Sequence, residues 1–131
     1  MLLDSQGIFS NAQAITATAV STNVVKMVGE VSFGTDIDLS IEIVEDFNNL
    51  TSLNVDVQTA TDSAFTSPVT LQSASLLLAA LKKSKFFPIN AIPKGNLGYI
   101  RLNYTVTGTA PTTGKITAGV VAALDQGYQD V

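Results

Sequence analysis

The sequence predicts an all-β protein whose strands pack as a sandwich or close as a barrel. Apolar and polar residues alternate at a period of two in several short segments, which is the pattern of half-buried strands. Turn-forming residues separate these segments at spacings typical of sandwiches and barrels, and the strand-favouring residues threonine and valine are abundant. The chain of 131 residues fits one domain around a single core.

The strands follow from this alternation, segment by segment. In residues 37–43 the apolar side chains from Ile37 to Ile43 fall on one face, and the intervening polar side chains fall on the other. Pro88 lacks an amide donor, so we expect its strand to lie at a sheet edge or to bulge. Together with residues 37–43, the other predicted strands bring the expected number to about eight; they are 22–28, 53–59, 68–74, 85–91, 99–107 and 115–124.

Two segments show no clear period. Residues 72–85, QSASLLLAALKKSK, contain strong helix formers, but their length and the Phe-Phe-Pro that follows favour an extended segment over a short helix. Residues 1–14 place isolated apolar side chains among polar ones. We therefore expect residues 1–14 to form an N-terminal arm that lies against another surface, and residues 15–131 to form the sandwich domain.

Composition excludes several classes of function. The chain has neither cysteine nor histidine, which rules out disulfides, zinc sites built on thiolate or imidazole, and Ser-His or Cys-His nucleophile pairs. The seven Lys and Arg residues form no continuous basic stripe, and the net charge is −4. We therefore expect no nucleic-acid partner. No apolar run approaches the ~20 residues that span a bilayer, and the first residues lack a cationic signal-peptide start, so we expect no membrane association.

Acidic side chains are the remaining candidates for catalysis or metal binding. Asp36, Asp38 and Glu42 lie on one predicted strand and its flank, whereas acid–base catalysis needs carboxylates that converge in a cleft. The chain has no Asp-x-Asp-x-Asp-Gly calcium loop and no glycine-rich phosphate loop. We therefore predict no catalytic, metal-binding or cofactor-binding residue and no small-molecule substrate.

Arg101 is the single arginine of the chain and lies in the middle of a predicted strand. Alternation turns Tyr99, Arg101 and Asn103 away from the core. Two roles for Arg101 remain open: an interface anchor, because guanidinium stacks on rings and binds carboxylates, or a cross-strand ion pair with Asp56 or Glu42. Together with the apolar residues of the predicted arm, the interface candidates are Leu2, Leu3, Ile8, Phe9, Tyr99, Arg101 and Asn103.

Three blocks of the sequence resemble one protein family. The blocks are MLLDSQGIFSNAQAITATAVSTNVV at 1–25, VDVQTATDSAFTSPVTL at 55–71 and IPKGNLGYIRLNYTVTGTAPTTGKITAGVV at 92–121. In their order and over nearly the whole chain they resemble the capsid cement, or decoration, proteins of certain tailed bacteriophages, typified by a Bordetella phage. The shared motifs are structural and carry no chemistry.

The resemblance implies a jelly-roll β-sandwich that forms a homodimer on the outer surface of the phage capsid. There the family bridges major capsid proteins and reinforces the shell against the pressure of packaged DNA. By this resemblance the chain is expected to be a virion protein, made in the host cytoplasm, whose partners are the major capsid protein and a second copy of itself.

Two other functions stay open. A receptor- or glycan-binding β-sandwich displayed on a virion or cell needs a concave site lined with exposed rings. The rings available to it are Tyr99, Tyr104, Tyr128 and the phenylalanines of the loops. A hydrolase built on a sandwich needs carboxylates that converge from distant strands.

Overall fold

The computed structural model describes residues 3–26, 37–92, 95 and 97–121, with the backbone alone for residues 3–6, 37 and 121. Within these ranges the chain forms strands joined by turns, and a short 3-10 helix at Leu78–Ala80. No helix here is both long enough and apolar enough to span a bilayer. The strands are β1 (Leu3–Ala14), β2 (Ala19–Val20), β3 (Val25–Lys26), β4 (Ile37–Glu45), β5 (Leu50–Ala60), β6 (Val69–Leu77), β7 (Ala91–Ile92), β8 (Tyr99–Gly108) and β9 (Lys115–Val121).

The strands form two antiparallel sheets that face each other as a sandwich. The four-stranded sheet has the order β1-β9-β4-β7. The five-stranded sheet has the order β2-β8-β5-β6, with β3 also pairing with β8. The all-β sandwich expected from the alternating sequence is confirmed, because the long predicted strands appear as β4, β5, β6, β8 and β9.

One hydrophobic core lies between the sheets and is built from the apolar rows that the alternation predicts. Ile41 and Ile43 of β4 and Ile116 of β9 are fully buried on the side of the four-stranded sheet. Each such side chain contributes roughly 1.5–3 kcal/mol relative to an exposed one. The opposing row comes from β5 and β8 and consists of Leu53, Val55, Val57, Ile100, Leu102 and Tyr104, all fully buried.

The segment predicted as an N-terminal arm is part of the sandwich over its described length. Residues 3–14 form β1, which pairs with β9 from Leu3–Val121 to Ala14–Lys115 with three register irregularities. Phe9 and Ser10 are both fully buried, and Ala12 has a φ of 50°. Two consecutive buried residues and a left-handed residue interrupt a period of two, so the strand does not show in the sequence.

The predicted strand 85–91 is instead an extended cover along the edge of β4. It makes one isolated bridge, Glu42 to Phe86, and only its end joins β7. Backbone bonds Ile43 N to Lys85 O (2.8 Å) and Phe87 N to Ile41 O (3.0 Å) hold it on the strand. Pro88 lies within this cover and is exposed, which agrees with the edge position expected for a residue without an amide donor.

Two shorter predictions meet mixed outcomes. In the segment 72–85 the extended alternative is correct as far as Leu77, and the 3-10 helix follows it. In the predicted strand 22–28 only Val25–Lys26 forms a strand, and residues 27 and 28 lie outside the described ranges.

Candidate interaction surface

The outer face is the side of the five-stranded sheet that points away from the core. The strand register sets it, because Asp56 lies opposite both Asn103 and Ser73, and Gln58 lies opposite Arg101. Among the described residues its charged members are Lys26 of β3, Asp56 and Arg101, so the face carries few charges. The side chains of β5, β6 and β8 that form it are Ser52, Asn54, Asp56, Gln58, Thr70, Ser73, Ser75, Leu77, Tyr99, Arg101, Asn103, Thr105 and Thr107.

Hydrogen bonds between side chains tie the strands together on this face. Asp56 Oδ1 accepts from Asn54 Nδ2 at 2.8 Å and from Ser73 Oγ of the neighbouring strand at 2.6 Å. On β8, Asn103 Nδ2 donates to Thr105 Oγ1 at 3.2 Å. Because these side chains already have fixed partners, a protein that binds here orders few additional rotamers, which lowers the entropy cost of association.

Arg101 is held by neighbours within its own chain. Its Nε donates to Gln58 Oε1 at 2.8 Å, and its guanidinium carbon lies 4.3 Å from the centroid of the Phe65 ring. Such cation–π contacts contribute about 0.5–1 kcal/mol at exposed sites and more when desolvated. Within the described residues Arg101 forms no ion pair with Asp56 or Glu42, so the ion-pair alternative finds no support.

The loop that follows β5 presents the Phe65 ring to Arg101. Asp62 folds this loop, because its carboxylate accepts from the Thr66 hydroxyl at 2.8 Å and its backbone carbonyl accepts from Phe65 N at 3.2 Å. Phe65 has a φ of 51° and is 5% exposed. The sequence indicates a turn with a tucked phenylalanine, but nothing in it reveals that this ring lies against a guanidinium from β8.

Tyr99 and Asn103 are half-buried on the same strand as Arg101. Lys26 Nζ lies 5.9 Å from the centroid of the Tyr99 ring, because β3 pairs with β8 in a register that sets Lys26 opposite Tyr99. Thr59 Oγ1 donates to the Tyr99 carbonyl at 2.9 Å. The structure therefore brings Tyr99, Arg101 and Asn103 together on one strand of the outer face.

The N-terminal candidates do not join this group. Phe9 is fully buried in the core, so it cannot contact a partner while the sandwich is folded. Ile8 is half-buried on β1, which belongs to the other sheet, and lies opposite Gly119. Leu3 pairs with Val121 through its backbone, but its side chain and the whole of Leu2 lie outside the described residues.

A chain of polar side chains, buried at Tyr104 and Ser10, joins the two sheets on the core side of β8. Ser10 Oγ donates to Gln13 Oε1 at 2.6 Å and, having no second proton, accepts from the Tyr104 hydroxyl at 2.7 Å. Gln13 continues the chain by donating to the Val20 carbonyl at 3.0 Å. Burial raises the pKa of Tyr104 well above its ordinary value, and the hydrogen bond to Ser10 offsets part of that rise. The phenol therefore stays neutral.

Two acidic residues have local structural partners that the sequence does not show. Asp46 accepts a hydrogen bond from Lys83 N at 2.6 Å, and Glu45 accepts one from Gly114 N at 2.9 Å. Each carboxylate thereby holds a loop onto the end of β4. Within the described residues no three acidic side chains come together in a way that could hold a metal ion.

Comparison with protein families identifies the family of this chain. No curated protein matches the chain. The family model described as Bbp16 matches residues 9–123, a range that runs from the buried Phe9 of β1 to beyond the end of β9. The match therefore covers both sheets of the sandwich. On this match the chain belongs to the Bbp16 family.

Proposed function

We propose that this protein is a capsid cement protein that binds the outside of a bacteriophage head, bridges major capsid proteins and stabilises the shell. The proposal draws on the likeness of three sequence blocks to phage cement proteins and on the family name, which suggests a Bordetella phage protein. Its partners are the major capsid protein and a second copy of the chain. Its location is the outer surface of the virion.

The outer face is the observation that carries the proposal. It carries few charges, and its polar side chains are held by bonds such as Ser73 to Asp56 and Arg101 to Gln58. A face of this kind suits adhesion, because it avoids desolvating many charges and its side chains are already ordered. Many copies on a symmetric lattice need only modest contacts each, since multivalency raises the effective affinity.

We also propose that the strands are connected as in a jelly roll. β2 and β3 both pair with β8 and together act as one interrupted strand. With the two combined, consecutive strands alternate between the sheets except for the β5–β6 hairpin. That alternation is what two interlocked Greek keys produce, and it supports a jelly roll.

The direct test is reconstitution on phage heads assembled without the protein. Purified protein is mixed with expanded heads and with unexpanded heads, and each mixture is sedimented. We expect the protein to sediment with expanded heads and to raise the temperature at which they rupture. Failure to sediment with either form would overturn the proposal, as would binding without any gain in head stability.

Two matched variants assign the contact to the outer face. Asn103→Lys adds one charge to the outer face, whereas Asn11→Lys adds the same charge to exposed β1 of the other sheet. We expect Asn103→Lys to weaken binding to expanded heads at least about tenfold, because an unpaired charge is then desolvated, and Asn11→Lys to leave it unchanged. Equal effects of the two variants would remove the outer face from the proposal.

The receptor- or glycan-binding alternative depends on exposed rings, and the structure withdraws several of them. Tyr104 is fully buried, and Phe65 is buried beneath Arg101. Tyr99 remains half-buried, Phe86 is 51% exposed at the edge of β4 in the other sheet, and Tyr128 lies outside the described residues. The described part of the surface therefore favours adhesion through the outer face over recognition of a sugar by stacking.

A further inference from the structure

The strand β6 ends the five-stranded sheet, and among the described residues one of its edges has no partner. It pairs with β5 on one side, from Ser52–Leu77 to Thr59–Val69. On its other side no described strand follows, and no described loop forms a backbone hydrogen bond with it. Alternate amide and carbonyl groups along this side are therefore available to another strand.

From Gln72 to Leu77, β6 also lacks the features that keep exposed edges apart. Its sequence, VTLQSASLL, contains no charge and no proline. Lysine side chains, proline and very short length are the usual protection of an edge, and this strand is nine residues long. Its one irregularity is a bulge at Leu71, after which residues 72–77 run in regular register with β5. The regular, uncharged part is thus 72–77.

The apolar side chains of β6 remain partly open to solvent. Leu71, Ala74 and Leu76 pack against the core but are only half-buried. The β5 partners of Ala74 and Leu76, which are Val55 and Leu53, are fully buried. On the outer face Leu77 is 66% exposed. A strand added beside β6 would extend the sandwich over these side chains and remove apolar surface from water.

We infer that β6 is the surface through which two copies of the chain pair, antiparallel, so that their five-stranded sheets become one continuous sheet. A second copy fits this edge, because a two-fold axis places β6 of one copy antiparallel to β6 of the other. Since the segment has no charged residue, no register of this pairing brings like charges together. The inference rests on the dimer of the proposed function but not on shell binding. A continuous sheet would also join two outer faces side by side, which doubles the surface offered to a lattice.

A charge placed on the edge tests the inference in free protein. In the dimer, Ser75→Lys places one exposed lysine from each copy near the two-fold axis between the β6 strands. Thr107→Lys is the control, because it places a lysine on the same face but on β8. We expect wild-type protein and Thr107→Lys to sediment at twice the 13.7 kDa chain mass. Ser75→Lys should raise the dimer dissociation constant about tenfold or more while its melting temperature, measured in dilute solution, stays unchanged.

A cysteine scan gives an independent measurement and reports the register. The chain has no cysteine, so any disulfide formed by a single-cysteine variant joins two copies. Ser73→Cys, Ser75→Cys and Leu77→Cys are oxidised singly and in mixed pairs, with Thr107→Cys as the control. In an antiparallel pair, a cysteine on the two-fold axis faces the same cysteine of the other copy, and cysteines on either side of the axis face each other in a mixed pair. We expect one of these combinations to form a disulfide much faster than the control, because Cα atoms opposite each other lie ~4.5–5.5 Å apart.

Two results would overturn the inference. One is wild-type protein that stays monomeric at concentrations of about 100 μM, where even weak dimers with micromolar constants associate. The other is a dimer that Ser75→Lys leaves intact and in which no β6 cysteine cross-links faster than the control. Both measurements use free protein, so a negative result would contradict pairing through β6 without bearing on head binding. In the same way, a failure to bind heads would not bear on pairing through β6.

Discussion

The outer edges of β4 and β6 lie in opposite sheets of the sandwich and are treated in opposite ways. The edge of β4 is covered by the segment 84–92, which exchanges backbone hydrogen bonds with it at Leu39, Ile41 and Ile43. The edge of β6 has no such cover within the described residues. In the part of the chain that the structure describes, one edge is thus protected by the chain's own backbone and the other has no cover, which agrees with the inferred pairing of that second edge between molecules.

The two edges also differ in their side chains. The cover of β4 inserts Phe87 and Ile89 into the core, where both are 1% exposed. The β6 edge ends in Leu77, which is mostly exposed. Covering β4 therefore adds core to the monomer, whereas β6 carries apolar area that no described segment of the chain buries.

The largest expected effect comes from removing the cover's anchor. Phe87→Ala should lower the free energy of unfolding by about 3–5 kcal/mol, because it leaves a cavity in a packed core. Leu77→Ala, the matched change on the open edge, should alter it by less than about 0.5 kcal/mol in dilute solution. Urea denaturation at low protein concentration measures both values. Similar losses for the two variants would erase the contrast between the edges.

A smaller effect is expected where the two sheets are tied by side chains. Tyr104→Phe removes the hydroxyl that donates to Ser10, and we expect a loss of about 0.5–1.5 kcal/mol at neutral pH. Chemical denaturation of the variant beside the wild type gives this difference. An unchanged stability would show that the buried chain from Tyr104 to Gln13 adds nothing to the tie between sheets.

The same residue gives a pH dependence with a definite sign. Burial raises the pKa of Tyr104 in the folded state above its unfolded value of ~10, so the unfolded chain releases a proton more easily. The contribution of the neutral phenol is therefore fully present below pH ~10 and is lost as pH rises above it. The wild type should lose stability between about pH 10 and 12 more steeply than Tyr104→Phe. Parallel stability curves would contradict this account.

The smallest effect concerns Arg101. Arg101→Ala removes the stack on Phe65 and the bond to Gln58, and should cost about 0.5–1 kcal/mol because the site is partly exposed. Arg101→Lys keeps the charge but loses the planar group, so it should recover only part of that loss. Thermal unfolding ranks the three proteins. An Arg101→Ala protein that melts like the wild type and binds heads like the wild type would leave Arg101 without a role in fold or adhesion.

The sequence predicts a strand of this fold only where apolar and polar residues alternate at a period of two. Buried and polar side chains alternate regularly over residues 53–59 of β5 and 99–105 of β8, and these parts of the two strands were predictable. β1 was not, because Phe9 and Ser10 are buried in succession and Ala12 is left-handed. The segment 85–91 looks like a strand because it is apolar and extended, yet it makes only scattered bonds with β4.

The interaction surface was predictable only in part, for a related reason. Alternation alone places Tyr99, Arg101 and Asn103 on one face, and the structure keeps them there. The contact between Arg101 and Phe65 joins residues far apart in the chain through a loop whose shape depends on Asp62. Whether an edge strand is covered also depends on a distant segment. The sequence of β6 shows that it lacks charge, but not that it is an edge.

Amide hydrogen exchange at two protein concentrations tests the open edge most directly. At high concentration we expect the outward-pointing amides of residues 72–77 to be protected, and on dilution below the dimer dissociation constant we expect them to exchange rapidly. The amides of Leu39 and Ile43, which bond to the cover, should stay protected at both concentrations. If every β6 amide stays as protected as those two on dilution, or if none gains protection at high concentration, the edge does not pair between molecules.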